Sequence, residues 1–280
     1  MLNTIAICGA GTMGAGIAQV AAAGGFKTIL FDTREEALQK AITQISRNLQ
    51  TAVEKGKLDA AQPALILSRI QTVHDAQQCV ADVIIEAIVE NIPAKVALFN
   101  QLAAVNSPAT IFATNTSSLS VTDIAKDVLH PERVAGMHFF NPAHLMQLVE
   151  IVSGKATDPA IADVLYALTK QLGKTPVRVK DAPGFIVNRV ARHYYLEAMQ
   201  VASEGTASLQ SIDKLLEATG FRMGPFALMD LIGNDINFAV TTSLYEAFNH
   251  APRFKPGQLQ ADKVAKGELG RKTGKGFYNY

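Results

Sequence analysis

Two titratable residues stand in runs that read as core strands. Residues 136–152 are GMHFFNPAHLMQLVEIV, with His138 among apolar neighbours and Glu150 inside a second apolar run. Burying either group alone is costly, so each needs a partner. Both lie six residues from His144. If Asn141-Pro142 turns the chain and the flanks fold back antiparallel, the two face each other with β-carbons about 5 Å apart. A carboxylate on one imidazole nitrogen sets the tautomer and stabilises the imidazolium, while the other nitrogen takes a proton. The spacing therefore predicts a general base, His138, oriented by Glu150. The rival reading is a structural pair that braces the turn. His144, inside the turn, is expected to be exposed.

Two polar clusters add to this pair. TNTSSLS (114–120) follows an apolar run and would bring Asn115, Ser117 and Ser118 to the end of a strand. Ser120 suits a helix N-cap, which leaves Ser117 for another task. In DAPGFIVNR (181–189), Pro183 suits a helix start. Asn188 and Arg189 interrupt the apolar set Phe185, Ile186, Val187, Val190 and Ala191. A buried asparagine needs partners, here a substrate carbonyl or His138. Arg189 is expected to make a structural ion pair.

A third constellation points to a nucleotide. TIAIC (4–8) is followed by GAGTMG, Gly9 to Gly14. GxGxxG alone is weak, but here it leaves a strand and enters a helix. Gly9 allows the tight turn, Gly11 lets a pyrophosphate approach the backbone, and Gly14 lets helix and sheet pack closely. Thr12 and Met13 complete the loop, whose helix N-terminus offers free N–H groups to phosphates. Asp32 follows the second strand, 23 residues after Gly9. Its carboxylate would accept both adenosine ribose hydroxyls and repel a 2′-phosphate, favouring NAD over NADP; Arg34 softens that preference. In DVIIEAIVEN (82–91), Glu86 and Glu90 fall near strand ends, where such sheets bind ligands. Glu90 would meet the nicotinamide ribose, and Lys95, one turn into the next helix, would neutralise it. Asn141 is counted with these cofactor contacts.

The elements that must position these groups alternate. Strands are expected at 4–8, 27–31, 69–73, 82–87, 110–114, 133–139, 148–152 and 175–180, with helices at 13–23, 34–54, 91–105, 120–127 and 158–172 between them. Such alternation implies an α/β fold, a Rossmann-like doubly wound sheet covered on both faces. Beyond Pro183 the period is helical, roughly 184–204, 208–218, 225–249 and 258–266, with a strand signal only in the last four residues. Two domains follow: 1–182 for the nucleotide and 183–280, all helical, for substrate and dimerisation.

Composition bounds the partners. The 280 residues are 48% hydrophobic with a formal net charge of +1. This balance gives no reason to expect nucleic acid or a membrane surface as a partner. No run of eighteen apolar residues suggests a membrane span, and strand-like sequence from Thr4 leaves no room for a targeting peptide. Cys8 and Cys79 suggest neither a disulfide framework nor a metal site, and a reducing cytoplasmic setting fits. Apolar Leu228, Met229, Leu231, Ile232 and Phe238 exceed what a small helical domain buries, which predicts a homodimer.

Together these residues resemble the 3-hydroxyacyl-CoA dehydrogenase family, in particular its bacterial 3-hydroxybutyryl-CoA dehydrogenases. EAIVEN, NTSSLS, HFFNP, LVEIV, DAPGFIVNR and GKGFYNY carry the likeness. The resemblance implies His138 as catalytic base with Glu150 as partner, and Ser117 and Asn188 on the reacting oxygen and acyl chain. It implies Asp32, Glu90, Lys95 and Asn115 as NAD contacts, and an (S)-3-hydroxyacyl-CoA of short chain as substrate. Arg47, Lys55 and Lys57 would meet the CoA phosphates or form a solvated face. GNDINF, within 221–248, looks closer to members that oxidise 3-hydroxyadipyl-CoA in aromatic degradation. A non-catalytic NAD-binding structural or sensor protein is a further alternative.

Overall fold

The structure is a computed structural model that describes residues 2–280. The chain divides into two compact units, 1–181 and 182–280. In the first, eight strands form one sheet: β1 (Thr4–Cys8), β2 (Lys27–Phe31), β3 (Ile70–Val73), β4 (Val83–Glu86), β5 (Ile111–Thr114), β6 (Val134–Phe139), β7 (Leu148–Ser153) and β8 (Thr175–Lys180). Between them lie α1 (Thr12–Ala23), α2 (Glu35–Glu54), α3 (Gln62–Leu67), α4 (Ile92–Ala103), α5 (Val121–Ala125) and α6 (Pro159–Gln171). The order is β3-β2-β1-β4-β5-β6-β7-β8, and only β6 and β7 pair antiparallel. The order reverses between neighbours β1 and β4, so their carboxyl ends flank the crevice where such sheets bind ligands.

Alternation along β1 shows why both faces must be covered. Ile5 and Ile7 enter one apolar cluster with α1, α2 and α6, while Ala6 and Cys8 enter another with α4 and α5. Successive side chains point to opposite faces, so a strand apolar throughout needs two partners. Short α3 was not expected from the sequence; its six residues are too few to show a period.

The second unit is helical: α7 (Val187–Ser203), α8 (Leu209–Ala218), α9 (Pro225–Ile232), α10 (Asn234–Ala247) and α11 (Gln258–Ala265). Its core gathers Tyr195, Met199, Ile212, Phe226 and Met229. Two expectations are corrected here. The helix read over 225–249 is two, broken at Gly233, whose φ of 105° no helix continues. The helix read from 184 begins at Val187, because Gly184 (φ 72°) and Phe185 (φ 50°) first turn the chain. The strand signal in the last four residues reduces to isolated bridges, Gly270 with Lys275 and Lys275 with Asn279. Asp230 accepts from the Phe277 and Tyr278 N–H groups, each at 2.9 Å, and holds that tail. Of the apolar residues expected on an open face, Met229 is instead fully buried, whereas Leu231 and Ile232 are exposed. No helix among the described residues is long and apolar enough to cross a membrane.

Candidate active site

The β6–β7 hairpin brings the opening pair together. Its register sets His138 opposite Glu150, and His138 Nδ1 lies 2.8 Å from Glu150 Oε2. Both are buried, at 4% and 1% exposure. A carboxylate at Nδ1 favours the tautomer that carries its proton there, and leaves Nε2 as the basic atom. The connecting segment 140–147 is braced: Leu145 and Met146 N–H groups donate to the Pro142 carbonyl at 3.0 and 2.9 Å. Lys174 Nζ donates to the Met146 carbonyl at 2.8 Å. His144 is half-buried rather than exposed. Burial and the nearby Lys174 charge hold its pKa below the ordinary value, so it stays neutral more readily.

Strands β5 and β6 run parallel, so the loop after β5 meets the end of β6 beside His138. Asn115 fixes that meeting. Its Oδ1 accepts from the Phe139 N–H at 2.8 Å, and its own N–H donates to the Glu86 carbonyl at 2.8 Å. Ser117 N–H donates to Glu90 Oε1 at 3.1 Å, and Ser118 Oγ donates to the same oxygen at 3.3 Å. Thr116, which carries no motif signal in the sequence, is the centre of this loop. Its hydroxyl donates to Glu90 and accepts from the Leu119 N–H. The only sequence signal for it was its place between Asn115 and Ser117. Ser120 caps α5, accepting from the Asp123 N–H, and donates to Asp181 at 2.8 Å.

Lys95 is not a surface charge. It is 1% exposed, 2.6 Å from Glu86 Oε1 and 3.0 Å from Glu90 Oε2. Glu86 is fully buried and also accepts from Thr114 Oγ1 and the Ile88 N–H. Burial pushes its pKa up, against the opposing pull of Lys95. Burial raises the Glu90 pKa as well, but the Lys95 charge and the Thr116 donor outweigh it and hold the carboxyl below its ordinary value.

The glycine loop fits a dinucleotide. Gly9 has φ 103°, and a β-carbon there would sit 2.5 Å from the Ala87 carbonyl oxygen. One on Gly14 would sit 1.7 Å from the Gly9 oxygen, whereas Gly11 faces open space. Gly11 caps α1 without a side-chain hydrogen bond, so the first N–H groups of that helix remain for an anion. Asp32 Oδ2 accepts from the Ala10 N–H at 2.9 Å, and Oδ1 from the Arg34 N–H at 3.0 Å. Oδ2 keeps a lone pair for a ribose hydroxyl, while Oδ1 also faces Arg34 Nε at 3.5 Å. Thr12 and Asn141, with Gly11, Arg34, Lys40 and His144, line a cleft of about 640 Å³. Gly16 lets the 140–147 segment approach α1: its β-carbon would lie 3.1 Å from that of Ala143. Met13 is half-buried and packs against the core that includes Ile5 and Ile7.

In the second unit, Asn188 is half-buried in the first turn of α7, and its carbonyl accepts from Arg192 Nε at 3.2 Å. Arg189 makes no ion pair among the described residues. Its guanidinium lies over the Phe248 ring, 4.7 Å from the centroid, because that face of α7 meets an aromatic residue rather than a carboxylate. Ile186 and Val190, read as part of an apolar pattern, are exposed. Arg47, Lys55 and Lys57 are exposed; Arg47 borders a shallow depression on α2 with Lys40 and Gln44.

The chain is similar to known proteins along its whole length. The chain is 49% identical to the 3-hydroxyadipyl-CoA dehydrogenase of Escherichia coli, over all of this chain and 59% of that one. It therefore spans about three-fifths of that relative. It is 39% identical to a probable 3-hydroxybutyryl-CoA dehydrogenase of Bacillus subtilis, over all of this chain and 98% of that one. A crystal structure of (S)-3-hydroxybutyryl-CoA dehydrogenase from Ralstonia eutropha superposes with a TM-score of 0.95 at 40% identity, over 100% and 99% of the two chains. Residues 4–182 match the family model described as 3-hydroxyacyl-CoA dehydrogenase, NAD binding domain, and residues 184–280 match its C-terminal domain. The chain belongs to the 3-hydroxyacyl-CoA dehydrogenase family.

Proposed function

We propose that the chain catalyses the reversible, NAD-dependent oxidation of a 3-hydroxyacyl-CoA to the 3-oxoacyl-CoA. The observation that carries this reading is the buried His138–Glu150 pair near the carboxyl end of β6. The carboxyl ends of β1, β4 and β5 lie at the same edge of the sheet, because β1 to β6 run parallel. Gly9, Gly11, Thr12, Gly14 and Asp32 fit the adenosine and pyrophosphate of NAD, and Glu90 and Asn115 stand at the neighbouring strand ends. Bound NAD supplies the acceptor for the hydrogen leaving C3.

In this reading His138 Nε2 takes the hydroxyl proton of the substrate. Glu150 holds the imidazole at Nδ1 and stabilises the imidazolium that forms. Ser117 and Asn188 hold the reacting oxygen. Lys95 acts through Glu90: it keeps that carboxylate charged and in place. In the reverse direction the His138 imidazolium returns the proton. General-base help of this kind is worth about 10²–10⁴-fold, and positioning supplies much of the remainder.

Short chains such as 3-hydroxybutyryl-CoA suit the relatives from Bacillus subtilis and Ralstonia eutropha. A 3-hydroxyadipyl-CoA substrate is the second reading, favoured by the 49% identity to the Escherichia coli relative of that name. We assign the CoA phosphates to Arg47, Lys55 and Lys57. We also read the chain as a homodimer, supported by exposed Leu231, Ile232 and Ile236 on α9 and α10. A cytosolic setting is supported by two free, buried thiols, Cys8 and Cys79.

The test is NADH oxidation with acetoacetyl-CoA and its longer homologues. Turnover that depends on the CoA thioester is expected. NADH binding without turnover of any 3-oxoacyl-CoA would instead support the non-catalytic alternative.

A further inference from the structure

Arg192 is a buried charge that the proposed chemistry does not use. Its side chain is 3% exposed. No carboxylate lies within ion-pair distance of it among the described residues. Its acceptors are neutral: the Asn188 carbonyl for Nε, and the Asn237 carbonyl at 2.9 Å and Thr241 Oγ1 at 3.0 Å for Nη1. The Tyr195 ring packs 4.8 Å from the guanidinium carbon. Burial lowers the Arg192 pKa to about 10, so the group stays protonated near neutral pH. An unpaired buried cation is expensive, and structural arginines are normally met by an acid.

The surroundings are rich in donors as well. Asn237 is 1% exposed, and its side-chain Nδ2 has no acceptor. Asn237 lies in the GNDINF run and stands one turn before Thr241 on α10. Arg192 in turn stands one turn after Asn188 on α7, the same face of the helix. Side chains on a helix lean toward its N-terminus, and the 3.2 Å bond from Nε to the Asn188 carbonyl shows the guanidinium doing so. The cation is therefore folded back toward the residue assigned to the reacting oxygen.

We propose that Arg192, with Asn237 and Thr241 behind it, is the specificity-determining counter-charge for a second carboxylate at the far end of the acyl chain. The substrate class it selects is a 3-hydroxyacyl-CoA whose chain ends in a carboxylate a few bonds beyond C3. This rests on the reading of Asn188 as a substrate contact. Nε and Nη1 are taken by the neutral acceptors, so Nη2 is the nitrogen that would donate to a carboxylate oxygen, and the carboxylate would complete the charge balance that the protein leaves open.

The experiment compares 3-oxoadipyl-CoA with 3-oxohexanoyl-CoA, which has the same chain length and no second carboxylate, in NADH oxidation. The wild-type protein is expected to favour the dicarboxyl substrate in kcat/KM by about 10–100-fold, the range of a hydrogen-bonded charge. Arg192→Met is expected to remove that preference, mostly through KM, with 3-oxohexanoyl-CoA nearly unaffected; Arg192→Lys is expected to restore part of it. Equal losses on both substrates would make Arg192 a structural tie between α7 and α10 and overturn the proposal. So would a wild-type protein that turns over 3-oxohexanoyl-CoA as well as 3-oxoadipyl-CoA, an outcome that needs no variant to fold. If neither substrate turns over, it is the dehydrogenase reading that fails.

Discussion

Two buried acid–base pairs, one within the sheet and one where the sheet meets a helix, are assigned different work. His138 and Glu150, 4% and 1% exposed, meet at 2.8 Å across the β6–β7 hairpin. Glu86 and Lys95, 0% and 1% exposed, meet at 2.6 Å where β4 meets α4. Burial and distance are nearly the same, so neither distinguishes a reactive pair from a structural one. The difference lies in what else each basic side chain can do. Lys95 Nζ is spent on two carboxylates, Glu86 and Glu90. His138 meets its carboxylate through Nδ1, and imidazole is the side chain suited to gain and lose a proton near neutral pH. A buried pair becomes a candidate for chemistry when its base is an imidazole, which carries a second nitrogen.

The largest effect that would break this contrast is expected at the hairpin. His138→Gln should lower kcat by about 10²–10⁴-fold, with NADH affinity in a fluorescence titration little changed. Retained turnover would remove the role of the imidazole. Lys95→Met should act on the other axis. It leaves Glu86 buried without its counter-charge and should cost about 3–5 kcal/mol of stability, read by urea unfolding. An inactive protein of wild-type stability would instead put Lys95 at the chemistry.

A smaller, pH-dependent effect tests the second carboxylate of the Lys95 cluster. The Glu90 pKa is lowered in the folded state. In acid the unfolded chain therefore binds that proton first, and stability from Glu90 is present above the ordinary glutamate pKa. It is lost as pH falls through the lower folded-state value. Unfolding midpoints of wild type and Glu90→Gln should differ most near neutral pH and converge in acid. A gap that widens in acid would contradict the pairing. The smallest change is expected at His144, the rival base in the bend. His144→Gln should leave kcat nearly unchanged, and a loss comparable with that at His138 would make the bend, not the hairpin, the source of the proton acceptor.

Much of the first unit was legible because its signals are local. Strand runs, the GAGTMG turn and the helical period of 34–54 involve neighbours within a few residues. The β6–β7 pairing was legible for the same reason: twelve residues with a turn in the middle make a hairpin, and the side-chain period of two sets its register. Helix continuity across Gly233 was misread, because a single glycine does not announce whether it is helical or left-handed. Arg189 was misread because sequence does not say which helix it will face.

By itself, then, the sequence determined the order of strands and helices, the dinucleotide loop and the meeting of His138 with Glu150, since each depends on short-range periodicity and steric preference. Only the tertiary structure decided that Lys95 is buried between Glu86 and Glu90, that Asn115 ties β5 to Phe139, and that Arg192 lacks an acid. Asn115 and Arg192 meet partners 24 and 45 residues away, whereas the acids of Lys95 lie close in the chain and its burial depends on how α4 packs on the sheet. Whether a charge is solvated, paired or left open depends on which groups the fold brings around it, and spacing along the chain does not encode that.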